Sequence, residues 1–439
     1  MTAQFACRLV ALVCLGAGSL VAQTSVPDTP AGRTLQAWLD AFNSGDRAKV
    51  EAYVKTVDPK NNVDGMISFR GQTGGFDLIG IESSEPLHLR FRVKEKNGPT
   101  TALGNLLVTD GAPPTVVTFG IGALPPGVTV ENVTIDAAMR KRVIDGISED
   151  LKEFYIDAAL AQQMSDALKA HEAKGDYDPL TDGDAFAAQL RKDLLAVSHD
   201  KHIGVSFNSY KMPPRREPTA EDVERRNKQM ERDNCLFRKV EMLPNNIGYI
   251  KFDGFADPGF CGATVAAAMG FVAHTDALIF DIRENGGGSP AMVTLIASYL
   301  FDKPTHLIDM YNRKEDSTQQ NWTLSYLPGK RMVTQPVYVL TSKRTFSGAE
   351  EFAFDLKNQK RAVIVGETTG GGAHPVAGHV VADYFMVGVP FAKSLDPVTK
   401  TNWEGTGVEP DVKVAATDGL ETAEKLALEK IRASKVDER

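Results

Sequence analysis

The sequence predicts an α/β protein whose C-terminal half holds a sheet covered on both faces, preceded by a helical subdomain and an N-terminal α+β domain. Three observations predict it. From Ile247 onward short apolar runs alternate with helical stretches; residues 130–205 are dense in Ala, Leu, Lys, Glu and Asp at helical spacing; and residues 33–125 join one amphipathic helix to alternating strand-like runs. A chain of 439 residues, 42% hydrophobic and 24% charged, is long enough for two or three such units, each with its own core.

In chain order, residues 1–22 combine Arg8 with the apolar run Leu9–Ala22 and then polar Gln23 and Thr24. This is the pattern of a signal peptide, too short and wrongly flanked for a stable membrane span, and it predicts export to a periplasmic or extracellular space. Two of the four cysteines, Cys7 and Cys14, leave with it. Cys235 and Cys261 remain, an even pair that an oxidising compartment would let bridge, with two separate buried thiols as the equal alternative. Within 33–125, Thr34–Asp46 repeats apolar residues every three or four positions, and Leu87–Val93 and Pro114–Gly120 alternate as strands do. A helix laid on a curved sheet follows, and Ala41-Phe-Asn-Ser-Gly-Asp46 resembles the opening of nuclear-transport-factor-2-like (NTF2-like) domains.

Helical spacing in Ala137–Ile147 and Phe186–Leu195 predicts a small bundle over 130–205. Residues 206–244 read as a linker, because Pro213–Asn234 is almost wholly charged and polar and marks a connector or an exposed helix. Strands are expected at Gly248–Phe252, Ala277–Ile282, Val337–Thr341 and Ala362–Gly366, and helices near 263–274, 291–301 and 348–358, within a core domain of 245–415 and before a C-terminal helix over 416–439. The formal net charge of −8 leaves no basic stripe to neutralise phosphates, so nucleic acid is not expected as a partner.

Four glycine- and serine-bearing segments carry the chemistry, each at the end of an expected strand or in a loop. Asp281-Ile-Arg-Glu-Asn-Gly-Gly-Gly-Ser289 can turn backbone N–H groups into an anion-binding concavity, and it lacks the Gly-Lys-Ser/Thr ending of a phosphate loop. Thr345-Phe-Ser-Gly-Ala-Glu350 puts Ser347 at the positive tip of a helix, although Ser347 with Glu350 is equally a capping-box pattern. Gly366-Glu-Thr-Thr-Gly-Gly-Gly-Ala-His374 and Trp403-Glu-Gly-Thr-Gly-Val-Glu-Pro-Asp411 complete the set.

In this order and spacing the four segments, over about residues 245–415, resemble the C-terminal processing (tail-specific) serine peptidases, in the branch similar to tricorn-like and interphotoreceptor-retinoid-binding-protein-like members. The resemblance implies a crotonase/ClpP-like core, polypeptide substrates, no cofactor and no metal, with a homo-oligomer left open. It implies further that Ser347 attacks the scissile carbonyl while the backbone N–H groups of Gly348 and Gly287 receive the oxyanion. Bacterial members take their base from a lysine in Gly-Glu-x-Thr-x-Gly-Lys-Gly, whereas this chain has Gly372 there; Lys343 is a poor substitute. The branch without that lysine carries Asp-x-His upstream, here Ser198-His-Asp-Lys-His-Ile-Gly-Val205, and so His202 is the expected base with His199 as its competitor. Glu404 matches the acidic group that would orient the imidazole, with Glu367 and His374 as alternatives. About 45 residues separate Gly204 from Gly248, too few and too polar for the PDZ domain that such peptidases insert there.

Two other classes compete. A non-catalytic binder of apolar ligands or peptides on the same scaffold would not need serine, histidine and carboxylate together, and an acyl-CoA enzyme on a crotonase-like core would not need the serine. The chain has no Gly-x-Ser-x-Gly elbow, and its eight histidines form neither His-Glu-x-x-His nor a spaced ligand cluster.

Overall fold

The computed structural model describes residues 25–437, apart from 126, 132 and 214–216. The signal peptide expected over 1–22, with Cys7 and Cys14, lies outside the described residues. The chain divides into two units, up to Val128 and from Thr129.

In the first unit three helices, α1 (Pro30–Ser44), α2 (Arg47–Thr56) and α3 (Val63–Thr73), precede four strands, β1 (Phe76–Ser84), β2 (His88–Glu95), β3 (Thr101–Val108) and β4 (Val116–Ala123). The strands pair antiparallel in the order β1-β2-β3-β4. Thr29 caps α1 by accepting the Gly32 N–H, Pro30 occupies the first turn, and Gly45 ends the helix in the left-handed region. The apolar face of α1, with Leu35, Trp38 and Phe42, packs in one cluster with Leu89, Phe91 and Val93, the inward positions of β2.

The second unit begins with α4 (Ala137–Phe154), α5 (Ala158–Lys174), α6 (Gly183–Ser198), β5 (Gly204–Phe207) and α7 (Ala220–Arg232). There follow β6 (Phe237–Leu243), β7 (Ile247–Phe252), α8 (Pro258–Val272), β8 (Ala277–Asp281), α9 (Pro290–Ser298), β9 (His306–Asn312) and β10 (Ser317–Trp322). It closes with β11 (Val337–Thr341), α10 (Gly348–Asn358), β12 (Val363–Gly366), β13 (Val376–Val381), β14 (Phe385–Pro390), β15 (Ala392–Leu395), β16 (Val412–Lys413) and α11 (Gly419–Asp437). The central sheet runs β16-β12-β11-β8-β7-β6 and is parallel except for β6. Every residue of β8 and β11 is buried, as a sheet covered on both faces requires. One cover is a cluster built with α8, α9 and α10; the other is α11 through Ala423, Ala427 and Ile431. The carboxyl ends of β8, β11 and β12 therefore open at one rim, where parallel sheets hold their ligands.

The linker expected over 206–244 is corrected. β6 is the antiparallel edge strand of the central sheet, with Phe237 buried and stacked on Phe252, their ring centroids 5.2 Å apart. Its other side chains are largely exposed, so its composition reads as a connector. The disulfide Cys235–Cys261 ties the segment before β6 to α8, and α7 is an exposed helix with no buried residue. The boundary expected near 205 is likewise absent from the packing: β5 pairs with β14, and α4–α6 share a core with Phe385, Val387 and Val389. Among the described residues no helix is long and apolar enough to cross a membrane.

Candidate active site

The turn from β11 into α10 is laid against the loop that leaves β8. Ser342 Oγ donates to the Arg283 carbonyl at 2.5 Å, Thr345 Oγ1 to the Ile282 carbonyl at 2.9 Å, and the Phe346 N–H to the Asn285 carbonyl at 3.1 Å. At the end of this turn Ser347 has φ +55° and ψ −123°, a conformation that costs a non-glycine residue on the order of 1–3 kcal/mol and is held only where its surroundings enforce it. Part of the enforcement comes from Glu350, which is fully buried: its Oε2 accepts the Ser347 N–H at 2.8 Å and the Gly372 N–H at 2.9 Å, and its Oε1 accepts the Gly371 N–H at 2.6 Å and the Thr369 hydroxyl. One carboxyl thus joins the serine turn to the 369–372 loop. Burial raises its pKa above the ordinary glutamate value, with the four donors opposing.

The glycine loop after β8 is organised by fully buried Asn285, whose Nδ2 donates to the Phe252 carbonyl at 3.1 Å and whose Oδ1 accepts the Gly287 N–H at 2.8 Å. This corrects the expectation for Gly287: its N–H already has an acceptor. The N–H groups of Gly288 and Gly348 donate to nothing among the described residues, and a Cβ placed on Gly348 would stand 3.1 Å from Gly288 N. Gly287 matters for space instead, because at φ +99° its Cβ would come within 2.7 Å of both Gly348 N and the Phe346 carbonyl oxygen.

His202 arrives from the turn between α6 and β5. Its ring packs on Phe346, the residue before Ser347, with centroids 4.8 Å apart. A Cβ on Gly372 would lie 2.5 Å from His202 Cε1 and 2.3 Å from Phe346 Cζ, so the imidazole fills the room that the missing side chain leaves. The side chain of His202 is 9% exposed; burial, more than any neighbour, holds its pKa below the ordinary value, with Asp200 opposing and His374 reinforcing. Its Nδ1 is buried without a hydrogen bond, 3.9 Å from Asp200 Oδ1. Asp200 is 1% exposed, and its Oδ1 accepts the His202 backbone N–H at 2.9 Å while its Oδ2 meets His374 Nδ1 at 2.7 Å and Tyr155 Oη at 3.3 Å. Glu404 Oε2 accepts the Ala373 N–H at 2.6 Å and lies 3.6 Å from His374 Nδ1, while its Oε1 is buried without a partner. Burial raises the Glu404 carboxyl, and Asp200 adds to the effect.

The structure therefore gathers His202, His374 and Glu404 beside the serine turn. His199 is exposed and serves as the left-handed C-terminal cap of α6. Glu367 and Lys343 line a separate cavity of about 460 Å³ with Lys251, Arg283, Glu284 and Arg344. Of three residues with clear parts in the site, Asp200 and Asn285 have no role in the sequence reading and Glu350 enters it only as the capping-box partner of Ser347, which the structure bears out, although each lies inside a quoted motif. What would have found them is the demand that buried carboxylates and amides be matched by donors and acceptors.

Residues 246–414 match peptidase family S41, and residues 133–242 match the N-terminal domain of peptidase S41 in eukaryotic IRBP. The chain is 26% identical over 175 residues to carboxyl-terminal-processing peptidase 1, chloroplastic, of Arabidopsis thaliana, covering 40% of this chain and 35% of that one. It is 21% identical over 325 residues to the carboxy-terminal processing protease CtpB of Bacillus subtilis (strain 168), covering 66% of each. The chain thus spans about a third of the chloroplast relative. Among solved structures, a peptidase described as putative from Parabacteroides merdae ATCC 43184 aligns at a TM-score of 0.47 and 21% identity, over 68% of this chain and 98% of that chain.

Proposed function

We propose that this chain, whose residues 246–414 match peptidase family S41 and whose residues 133–242 match an N-terminal domain of that family, is an exported serine endopeptidase whose nucleophile is Ser347 and whose base is His202. The observation that carries this reading is the environment of the serine. A hydroxyl on a strained helix tip has unoccupied backbone donors on one side and, on the other, a buried imidazole in the space left by Gly372.

Ser347 Oγ attacks the carbonyl carbon of the scissile peptide as His202 Nε2 takes its proton. The carbonyl oxygen, now negative, is received by the N–H groups of Gly348 and Gly288, each such donor being worth about 3 kcal/mol of transition-state stabilisation. His202 then protonates the leaving amine, and water repeats the sequence on the acyl-enzyme. A neutral imidazole is the competent form, and burial favours it. No hydrogen bond joins His202 to Ser347 Oγ among the described residues; in free enzymes such contacts often tighten only when substrate binds. Asp200 lies on the Nδ1 side of the ring at 3.9 Å, and His374 links it to Glu404, so the third member of the arrangement is the Asp200 carboxylate with His374 and Glu404 behind it. The core fits a crotonase/ClpP-like architecture, the first unit an NTF2-like one, and the Cys235–Cys261 disulfide fits an oxidising compartment.

A fluorophosphonate probe and casein test the reading. The full chain is expected to be labelled at Ser347 and to cleave casein, and Ser347→Ala to do neither while keeping its circular dichroism spectrum. Undiminished cleavage by Ser347→Ala would sink it.

A further inference from the structure

The carboxylates around His202 form a cluster for which catalysis gives no complete account. One ligand-capable atom each from Asp200, His202 and Glu404 lies within 4.8 Å of the others. Two of these side chains hold atoms that are buried and unpartnered, Nδ1 of His202 and Oε1 of Glu404, and His202 is nine-tenths buried. Buried polar atoms in native proteins nearly always have a partner, so two orphans on two members of so tight a cluster indicate a missing one. The carboxylates of Asp200 and Glu404 add two negative charges to it, and neither forms an ion pair with a lysine or arginine among the described residues.

We propose that this cluster is an inhibitory divalent-metal site, selective for Zn²⁺ over Mg²⁺ and Ca²⁺, formed by Asp200, His202 and Glu404. The proposal rests on the reading of His202 as the base of Ser347. An imidazole with two carboxylates is a donor set that suits zinc, whereas magnesium and calcium prefer oxygen alone. Zinc ligands stand about 2.0–2.1 Å from the metal, so the cluster must close slightly, and a turn of the Glu404 carboxyl brings its free oxygen inward. His374 supplies the outer support that zinc sites use: its Nδ1, 2.7 Å from Asp200 Oδ2, fixes the carboxylate that would bind. Inhibition follows from the tautomer. Metal on Nδ1 obliges a neutral ring to carry its proton on Nε2, the nitrogen that must receive the serine proton, and the site is left without a base.

The test separates the metal from the catalysis. In calorimetry with the full-length Ser347→Ala chain, Zn²⁺ is expected to bind once per chain and Mg²⁺ not at all. Glu404→Gln, which keeps shape and hydrogen bonding, and His202→Ala should each weaken Zn²⁺ binding at least tenfold with the circular dichroism spectrum unchanged. In the wild-type chain Zn²⁺ should slow fluorophosphonate labelling of Ser347 at least tenfold, and EDTA should restore it. Absence of saturable binding, or binding indifferent to both substitutions, overturns the proposal, as does labelling that proceeds at full rate with the site filled. Absence of labelling after chelation overturns the peptidase reading instead, and calorimetry then still decides the metal site.

Discussion

A single methyl group at position 372 is a stringent probe of the site. With the Cβ vector of Gly372 pointing into His202 Cε1 at 2.5 Å and Phe346 Cζ at 2.3 Å, Gly372→Ala must displace one ring. Misplacing a catalytic group by about 1 Å costs on the order of a hundredfold, so kcat/KM on a peptide substrate should fall by at least that factor while the melting temperature moves little. Gly287→Ala acts on the other side of the serine. Its Cβ would crowd Gly348 N and the position where the oxyanion forms, and a loss of about a hundredfold in kcat with KM preserved is expected. At this scale Ser347 was legible because its turn repeats a motif, and Gly372 because it breaks one. Asp200 was not legible, since its partner His374 is 174 residues away and only the folded chain reveals the pair. The choice between Gly287 and Gly288 as the free N–H has the same origin: adjacent glycines are alike in sequence, and only the Asn285 side chain, which takes the Gly287 N–H, distinguishes them.

Helix α10 carries more than the serine at its tip. Glu351 and Asp355, one turn apart, are both buried, and the Asp355 oxygens have no hydrogen-bond partner among the described residues. Burial pushes Glu351 up to about 7, and burial followed by repulsion from Glu351 and Asp396 pushes Asp355 well above the ordinary aspartate value. Between about pH 4.5 and pH 7 the folded chain therefore holds a proton on Glu351 that the unfolded chain has lost, so stability falls as pH rises through this window and levels off above it. Glu351→Gln removes the Glu351 share of the dependence and weakens that of Asp355; thermal unfolding should show it several degrees more stable than wild type at pH 8 and nearly equal at pH 4. The α10 range of 348–358 was readable because Ala349, Phe352, Ala353 and Leu356 recur at helical spacing within it. Helix α8 starts earlier than its apolar pattern, at Pro258, because Asp257 caps it by accepting the Gly259 N–H. Strand β6 escaped notice for the opposite reason, with Arg238 and Lys239 exposed and Glu241 only half-buried at the edge of the sheet.

For the whole molecule, the alternation of apolar strand and helix after Ile247 was enough to foresee a parallel sheet with two covered faces. The polar stretch around residues 213–234 hid that the sheet starts sooner and that a disulfide secures its edge. Cys235 and Cys261 are bridged across a sequence separation of 26, for which chain entropy predicts about 3–4 kcal/mol; Cys235→Ser with Cys261→Ser should lower the denaturation midpoint accordingly relative to the oxidised wild type and match the reduced wild type. The position of the imidazole has one more consequence. His202 and a long side chain at 372 exclude each other sterically, so, on the proposed reading of His202 as the base, a lineage of such enzymes cannot drift from one proton acceptor to the other through single active ancestors. Inserting lysine first evicts the ring, and deleting the ring first leaves a hollow beside an inert alcohol. The exchange demands two coordinated substitutions, which makes the identity of residue 372 a marker of descent as well as of chemistry.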